Sequence, residues 1–326
     1  MPQTVWIAGV GPGQAGSCFV ETFLMWGLSW LGMSAIKSSA NLPLIERVAD
    51  LAMRLSQRYL ADYGATRSRH DFTQRQLMSC LVLRAYLKTT YRGVLEVLSG
   101  HERLRASLGL SEKLPHYTTL QKFSARSQVI AIAEAMIAQI GRQVLQAGGA
   151  AQAAAMDSTG LSTTSASAYF ESRRGKRSRQ YVKFSTIVLC SSLFPIAMVL
   201  DVGPSNDLVQ ARPLLRQAQA LGQPQQLLAD AGYDAEWIHA QCRQQWGVES
   251  LIKPAHRPRA DGTRGGRWRA LMNPTHLQER GYGVRWGVET FFSAFKRTVG
   301  GALTARKPAT QMIEAALRVL TYVLRR

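Results

Sequence analysis

Cysteine is scarce in this chain of 326 residues: Cys18, Cys80, Cys190 and Cys242 lie far apart, and no two form a C-x-x-C pair. That spacing argues against a disulfide framework or a zinc ribbon and suits a reducing cytoplasm. The six histidines are as scattered, with neither an H-E-x-x-H motif nor an i,i+4 pair, so a histidine-built metal site is not supported. No pairing of Ser or Cys with His suggests a side-chain nucleophile. Acid is also in short supply, with 21 Asp and Glu against 40 Lys and Arg, a net charge of +19. Such a field draws a protein onto phosphate backbones whatever their sequence. Total charge does not separate DNA from RNA, or either from an anionic membrane, so the placement of the charge matters more.

Long apolar runs are lacking with one exception. Residues 17–36 carry Glu21 as their only charge, which invites a membrane or secretory reading. No Lys or Arg precedes the run, so the charged leader of a signal peptide is missing. The segment reads instead as a buried helix or as an extension upstream of a start at Met25 or Met33, and no membrane partner is expected. Gly11, Gly13 and Gly16 form G-x-G-x-x-G after the apolar stretch 4–8. A dinucleotide fingerprint needs a second strand after its helix. Residues 41–62 read as an amphipathic helix, so the glycines read as a loop.

The length suggests two domains, with an apolar extension over 1–40, a helical domain over 41–147 and an α/β domain over 148–326. In the helical part, Asp71 reads as the cap of a run beginning at Phe72. Shorter pieces follow at 90–98, 102–108 and 118–124, broken by Gly100, Gly109 and Pro115. They fit a helix-turn-helix reader with Gln121, Lys122 and Arg126 on its last helix, and a plain helical bundle equally. A linking helix spans 129–146.

The rhythm then turns to strands. Asp157 ends the apolar run AAAMDSTG. Residues 181–190 and 193–202 read as a hairpin joined by Ser191 and Ser192. A helix over 206–221 carries Pro213 in its second turn; a strand at 225–230, a helix at 234–246 and a strand at 248–253 follow. Residues 309–324 read as an amphipathic helix whose apolar face is Met312, Ile313, Ala316, Leu317, Leu320 and Val323, expected to pack against the helix before it. That preceding helix holds Tyr282, Arg285, Glu289 and Lys296 at spacings of 3, 4 and 7. At about 100° per residue these steps return to one helical face. A carboxylate shares a face with cations either in a surface salt-bridge ladder or where a polyanion and a metal ion meet.

Three acids in these settings, Asp157 in AAAMDSTG, Asp230 in QQLLADAGYD and Glu289 in YGVRWGVETFFSAFK, make the chain resemble bacterial insertion-sequence DDE transposases with the Y-(2)-R-(3)-E-(6)-K signature. The resemblance covers roughly residues 63–326. It implies a ribonuclease H-like mixed sheet flanked by helices, preceded by an all-helical DNA-binding and dimerisation domain; the order of elements agrees. In that topology the first and fourth strands are neighbours, which would bring Asp157 beside Asp230. It further implies that Asp157, Asp230 and Glu289 bind two Mg2+ or Mn2+ ions, with Asp157 bridging, and that Tyr282, Arg285 and Lys296 hold phosphates of the terminal DNA strand. The partners are then the element's ends and target DNA, met as a homodimer in the cytoplasm.

Two basic blocks lie between the acids in sequence, where loops beside a site would meet DNA. The first holds Arg173, Arg174, Lys176, Arg177, Arg179 and Lys183; the second holds Lys253, Arg257, Arg259, Arg264, Arg267 and Arg269. Either block could also be a solvated loop. Asp207 and Asp234 read as helix caps, and Asp201, at the end of an apolar strand, is the strongest substitute for an assigned acid. The expected activity is nicking and strand transfer at inverted repeats. An inactive DNA-binding remnant and a ribonuclease H-like nuclease remain as alternatives.

Overall fold

In the computed structural model, residues 42–148, 152–163, 181–255 and 265–326 are described, and Pro43–Arg326 form one compact unit. The G-x-G-x-x-G loop, the apolar segment 17–36 and the cluster Arg173, Arg174, Lys176, Arg177 and Arg179 lie outside the described residues, as do Arg257, Arg259 and Arg264.

Six helices come first: α1 (Leu44–Tyr59), α2 (Gln74–Tyr86), α3 (Tyr91–Gly100), α4 (Glu102–Ser107), α5 (Tyr117–Ser124) and α6 (Gln128–Ala147). The start of α2 differs from expectation. Thr73 is its cap, with Gln76 closing a reciprocal capping box, a pattern legible as T-x-x-Q. Asp71 instead binds Lys113 at 2.7 Å and Arg69 at 3.0 Å.

Five strands then form one sheet: β1 (Ala153–Ser162), β2 (Tyr181–Leu189), β3 (Phe194–Gly203), β4 (Gln226–Ala229) and β5 (Glu249–Ile252), in the order β3-β2-β1-β4-β5. β1, β2 and β3 pair antiparallel, and β4 and β5 add in parallel beside β1. This is the mixed ribonuclease H-like sheet that the element order implied. The β2–β3 loop is longer than two serines: Leu193 adopts a left-handed φ of 53°, and its amide donates to the Leu189 carbonyl at 2.9 Å. Between β3 and β4 runs α7 (Asp207–Leu221), and between β4 and β5 runs α8 (Glu236–Ala240), which continues as a π-turn over Gln241–Trp246.

Alternation along the strands sorts their side chains into two cores. Ala155, Phe184, Leu228 and Leu251 join the core that includes the last helices, whereas Ala154, Met156, Leu227 and Ala229 join the core under α7 and α8. After β5 come α9 (Pro274–Glu279), α10 (Trp286–Val299) and α11 (Pro308–Arg325). α9 falls where an unbroken basic loop was expected. Asn273 caps it, with Pro274 at the first helical position, where the missing N–H costs nothing. Gly281, at φ +75°, then turns the chain off, a conformation cheap only for glycine.

α11 departs most from the expected amphipathic helix. It packs on α6, α2, α10, α3's neighbour α1, and the sheet, and is buried all round from Ile313 to Leu324, with Met312 only partly so. Its polar groups are paired inward. Glu314 accepts from the Thr304 and Ala305 amides and from Arg318 at 2.7 Å, as a buried charge must. α11 is therefore the central post joining the helices to the sheet. No described helix is long and apolar enough to cross a membrane.

Candidate active site

The site begins with strand register. Met156 on β1 pairs in parallel with Ala229 on β4, the last pair of that ladder. The next position on each strand is an acid, Asp157 and Asp230. Adjacent strands lie about 4.8 Å apart, and by alternation both residues leave the sheet on the side of Ala155 and Leu228, where α10 lies. β4 ends there, but β1 runs on to Ser162, so Asp157 sits within its strand rather than at its end. Beyond it β1 has no β4 partner, which leaves the carboxylates facing an opening.

Placement of α10 follows from its apolar stripe. Val288, Phe291, Phe292, Phe295 and Val299 repeat at helical spacing and are buried. Phe184 on β2 meets Phe291, Phe292 and Phe295 at ring-centroid distances of 6.1, 5.8 and 5.4 Å, and Tyr322 on α11 meets Phe291 at 5.3 Å. Gly287 lets the helix start close to the β2–β3 loop, since a Cβ there would lie 3.1 Å from the Cys190 Cα. The face opposite this stripe carries Glu289 and Lys296.

Tyr282 and Arg285 do not share that helix. They occupy a preceding 3-10 turn, Tyr282–Arg285, whose tighter winding changes their direction. All four residues nevertheless reach the strands around the two aspartates. The Tyr282 hydroxyl donates to the Ala229 carbonyl at 2.9 Å, clamping the residue before Asp230, and burial pushes its pKa up to about 12. Arg285 lies 3.5 Å from Asp157 Oδ2 through one nitrogen and 2.5 Å from Glu289 Oε1 through another. Lys296 Nζ donates to Thr159 Oγ1 at 2.7 Å, two residues beyond Asp157, and burial lowers its pKa.

Glu289 is thus tied to the aspartates through Arg285, with 60% of its side chain exposed. Among the described residues no group of three or more Asp, Glu, His or Cys converges closely enough to hold a metal ion as the site stands. Asp157 shows the electrostatic consequence. Burial above all, followed by the negative charges of Asp230 and Asp207, raises its pKa to about 6, against the opposing effects of the Ser158 amide and Arg285.

Of the other basic candidates, Lys183 is buried on β2, its ammonium 2.8 Å from Asp207 and 2.6 Å from the Ser205 carbonyl. It faces protein rather than solvent. Arg269 grips Asp234 with two parallel bonds of 2.7 and 2.8 Å, and Arg267 stacks on Trp268. Lys253 is exposed.

The other acids also sort by contact. Asp234, only 1% exposed in its side chain, is fully engaged by Arg269 and the Ala255 amide and caps no helix. Asp201 accepts from Gln210 and from its own neighbour's amide. Asp207 does not cap α7, because Asn206 does; its carboxylate turns instead toward Ser158 and Asp230. Sequence reasoning missed this, although an Asn directly before the Asp was a signal that the cap was already supplied. It also passed over Trp286, 62% exposed beside Arg285.

Oxygen donors only, a glycine where a Cβ would crowd Asp207 and Asp230, and a carboxyl of raised proton affinity suit a hard divalent cation. Asp157 and Asp230 would hold it, with Glu289 once parted from Arg285. Comparison with known proteins agrees in kind. The family described as Transposase DDE domain matches residues 148–324. No curated protein matches the chain. A piggyBac transposase, solved as a synaptic complex with hairpin DNA, is similar at 9% identity and a TM-score of 0.42, over 86% of this chain and 71% of that one. With its family's sequence pattern covering more than half its length, from just before β1 to the end of α11, the chain belongs to the transposase DDE domain family.

Proposed function

We propose that the protein is an insertion-sequence transposase of the Y-R-E-K type, which binds the inverted repeats at its element's ends, nicks them with divalent metal and joins the freed 3′-ends to target DNA. The observation that carries this reading is the parallel register at Met156 and Ala229, which sets Asp157 and Asp230 side by side with Arg285 linking them to Glu289.

Asp157, Asp230 and Glu289 are the metal-binding carboxylates. When bound, two divalent cations make a water or 3′-hydroxyl nucleophilic and stabilise the departing oxygen. Arg285 exchanges its carboxylates for a backbone phosphate, which its planar fork grips with two donors; this frees Glu289 to turn inward. Lys296 adds a point charge beside Thr159. Tyr282 holds the end of β4, and hence Asp230, in place. Trp286 presents an aromatic face next to Arg285 on which a base can stack. Helices over 41–147 read the repeats and bring two copies together; Gln121 and Lys122 on α5 stand exposed for that purpose.

The test is incubation of the full chain with oligonucleotides of the element's ends and Mg2+. Nicked and joined products are expected. Cutting without joining would mark a nuclease, and binding without cutting an inactive remnant.

A further inference from the structure

Asn206 caps α7 through its side-chain oxygen, 3.0 Å from the Leu208 amide, so the carboxylate of Asp207 is free for other contacts. Its two oxygens face different surroundings. Oδ1 is anchored: it accepts from Ser158 Oγ at 2.6 Å and lies 2.8 Å from the buried Lys183 ammonium. Lys183 is itself fixed by the Ser205 carbonyl. Oδ2 has no hydrogen-bond partner among the described residues and faces the space above Gly232. A Cβ on Gly232 would come within 3.0 Å of Asp207 Oδ2 and 3.1 Å of Asp230 Oδ1.

A second feature points into the same space. The Tyr233 hydroxyl is fully buried, makes no hydrogen bond, and lies within electrostatic reach of Asp157, Asp207 and Asp230. A buried polar group without a partner is costly. So is a set of carboxylates with one cation on one oxygen. A positive charge with its own water shell, placed in the gap that glycine leaves, would relieve both.

We propose that Asp207 is a fourth carboxylate of the cation site, presenting Oδ2 to the coordination sphere of the divalent ion beside Asp230 while Ser158 and Lys183 hold Oδ1. This rests on the metal-dependent reading above. It adds to the three acids a ligand on α7, from the opposite face of the sheet to α10.

The experiment is calorimetric titration of the full chain with Mn2+ in the absence of DNA, together with thermal unfolding. Asp207→Asn keeps an oxygen for Ser158 and Lys183 but turns an amide toward Asp230. It is expected to weaken Mn2+ binding by roughly tenfold to a hundredfold without lowering the cation-free unfolding temperature. Gly232→Ala, which fills the gap and leaves every carboxylate in place, is expected to weaken it in the same direction, and it decides the matter if Asp207→Asn does not fold. Unchanged Mn2+ affinity in these variants, with Asp157→Asn abolishing the heat of binding, overturns the role of Asp207 and leaves the proposed function standing. Absence of Mn2+ binding by the unsubstituted chain overturns both.

Discussion

Replacing Asp157 by Asn should make the cation-free protein more stable while abolishing its chemistry. The carboxyl's pKa rises from 3.8 unfolded to about 6 folded, through burial first and then the charges of Asp230 and Asp207. A raised pKa means that the folded state binds the proton more tightly. Stability contributed by that proton is therefore present below pH 4 and lost as the pH climbs toward 6. Each pH unit is worth about 1.4 kcal/mol, so above pH 7 ionised Asp157 costs about 3 kcal/mol. An isosteric amide avoids this cost and can still accept from the Ser158 amide, now 2.7 Å from Oδ1. For a protein of this size that corresponds to roughly 5 °C in unfolding temperature. Calorimetry in EDTA at pH 7.5 and at pH 4 checks it: Asp157→Asn should gain several degrees at the higher pH and nothing at the lower. A loss of stability at pH 7.5, or a gain of equal size at both pH values, would refute the electrostatic account of the site.

Asp230→Ala should eliminate both nicking and joining in the oligonucleotide assay while repeat binding, followed by gel shift, persists; normal cleavage would show that another acid serves the site. Exchanging Lys296 for Ala is expected to weaken capture of the ends by a few-fold, with a flatter salt dependence of the affinity, because one phosphate contact is lost. Tyr282→Phe removes the bond to the Ala229 carbonyl and should cost about 1 kcal/mol in urea unfolding, with repeat affinity unchanged if the phenol acts as a clamp. Glu314→Ala leaves Arg318 buried without its partner and should destabilise by about 3–5 kcal/mol, visible as a large drop in the urea midpoint.

The strands, the hairpin and most helix positions are legible because apolar periodicity and turn residues are local signals. Asp157 and Asp230 stand side by side for a different reason. Their adjacency depends on which strands pair, and no periodicity within β1 or β4 encodes that; only resemblance to a family suggested it. The capping errors have the opposite character. Thr73 with Gln76, Asn206 before Asp207, and Asn273 before Pro274 were all readable, but acids were preferred as caps where a better hydrogen-bonding neighbour stood one or two positions away. α11 misled for a third reason. Glu314, Arg318 and Thr321 look like a solvated face, and only the tertiary structure shows them paired with each other, with the Gly300–Ala305 backbone and with the Leu317 and Val82 carbonyls.

The acids differ in what holds them, and that difference suggests how the site is kept inactive until DNA arrives. Asp157 and Asp230 are fixed by strand register, and Asp207 by Ser158 and Lys183, so three carboxylates stand in place before any ligand binds. Glu289 alone is on an exposed helical face, its negative charge already matched by Arg285. A surface ion pair of this kind is worth little, typically under about 1 kcal/mol, so exchanging it for a phosphate–Arg285 contact costs little. DNA is then the agent that releases the last carboxylate. Completion of the metal site is coupled to arrival of the strand to be cut, and this disfavours cleavage chemistry in its absence. On this account Glu289→Gln should leave Mn2+ binding by the DNA-free chain almost unchanged, whereas Asp157→Asn abolishes it. Equal losses in the two variants would show that Glu289 joins the site without DNA, and the coupling would fail.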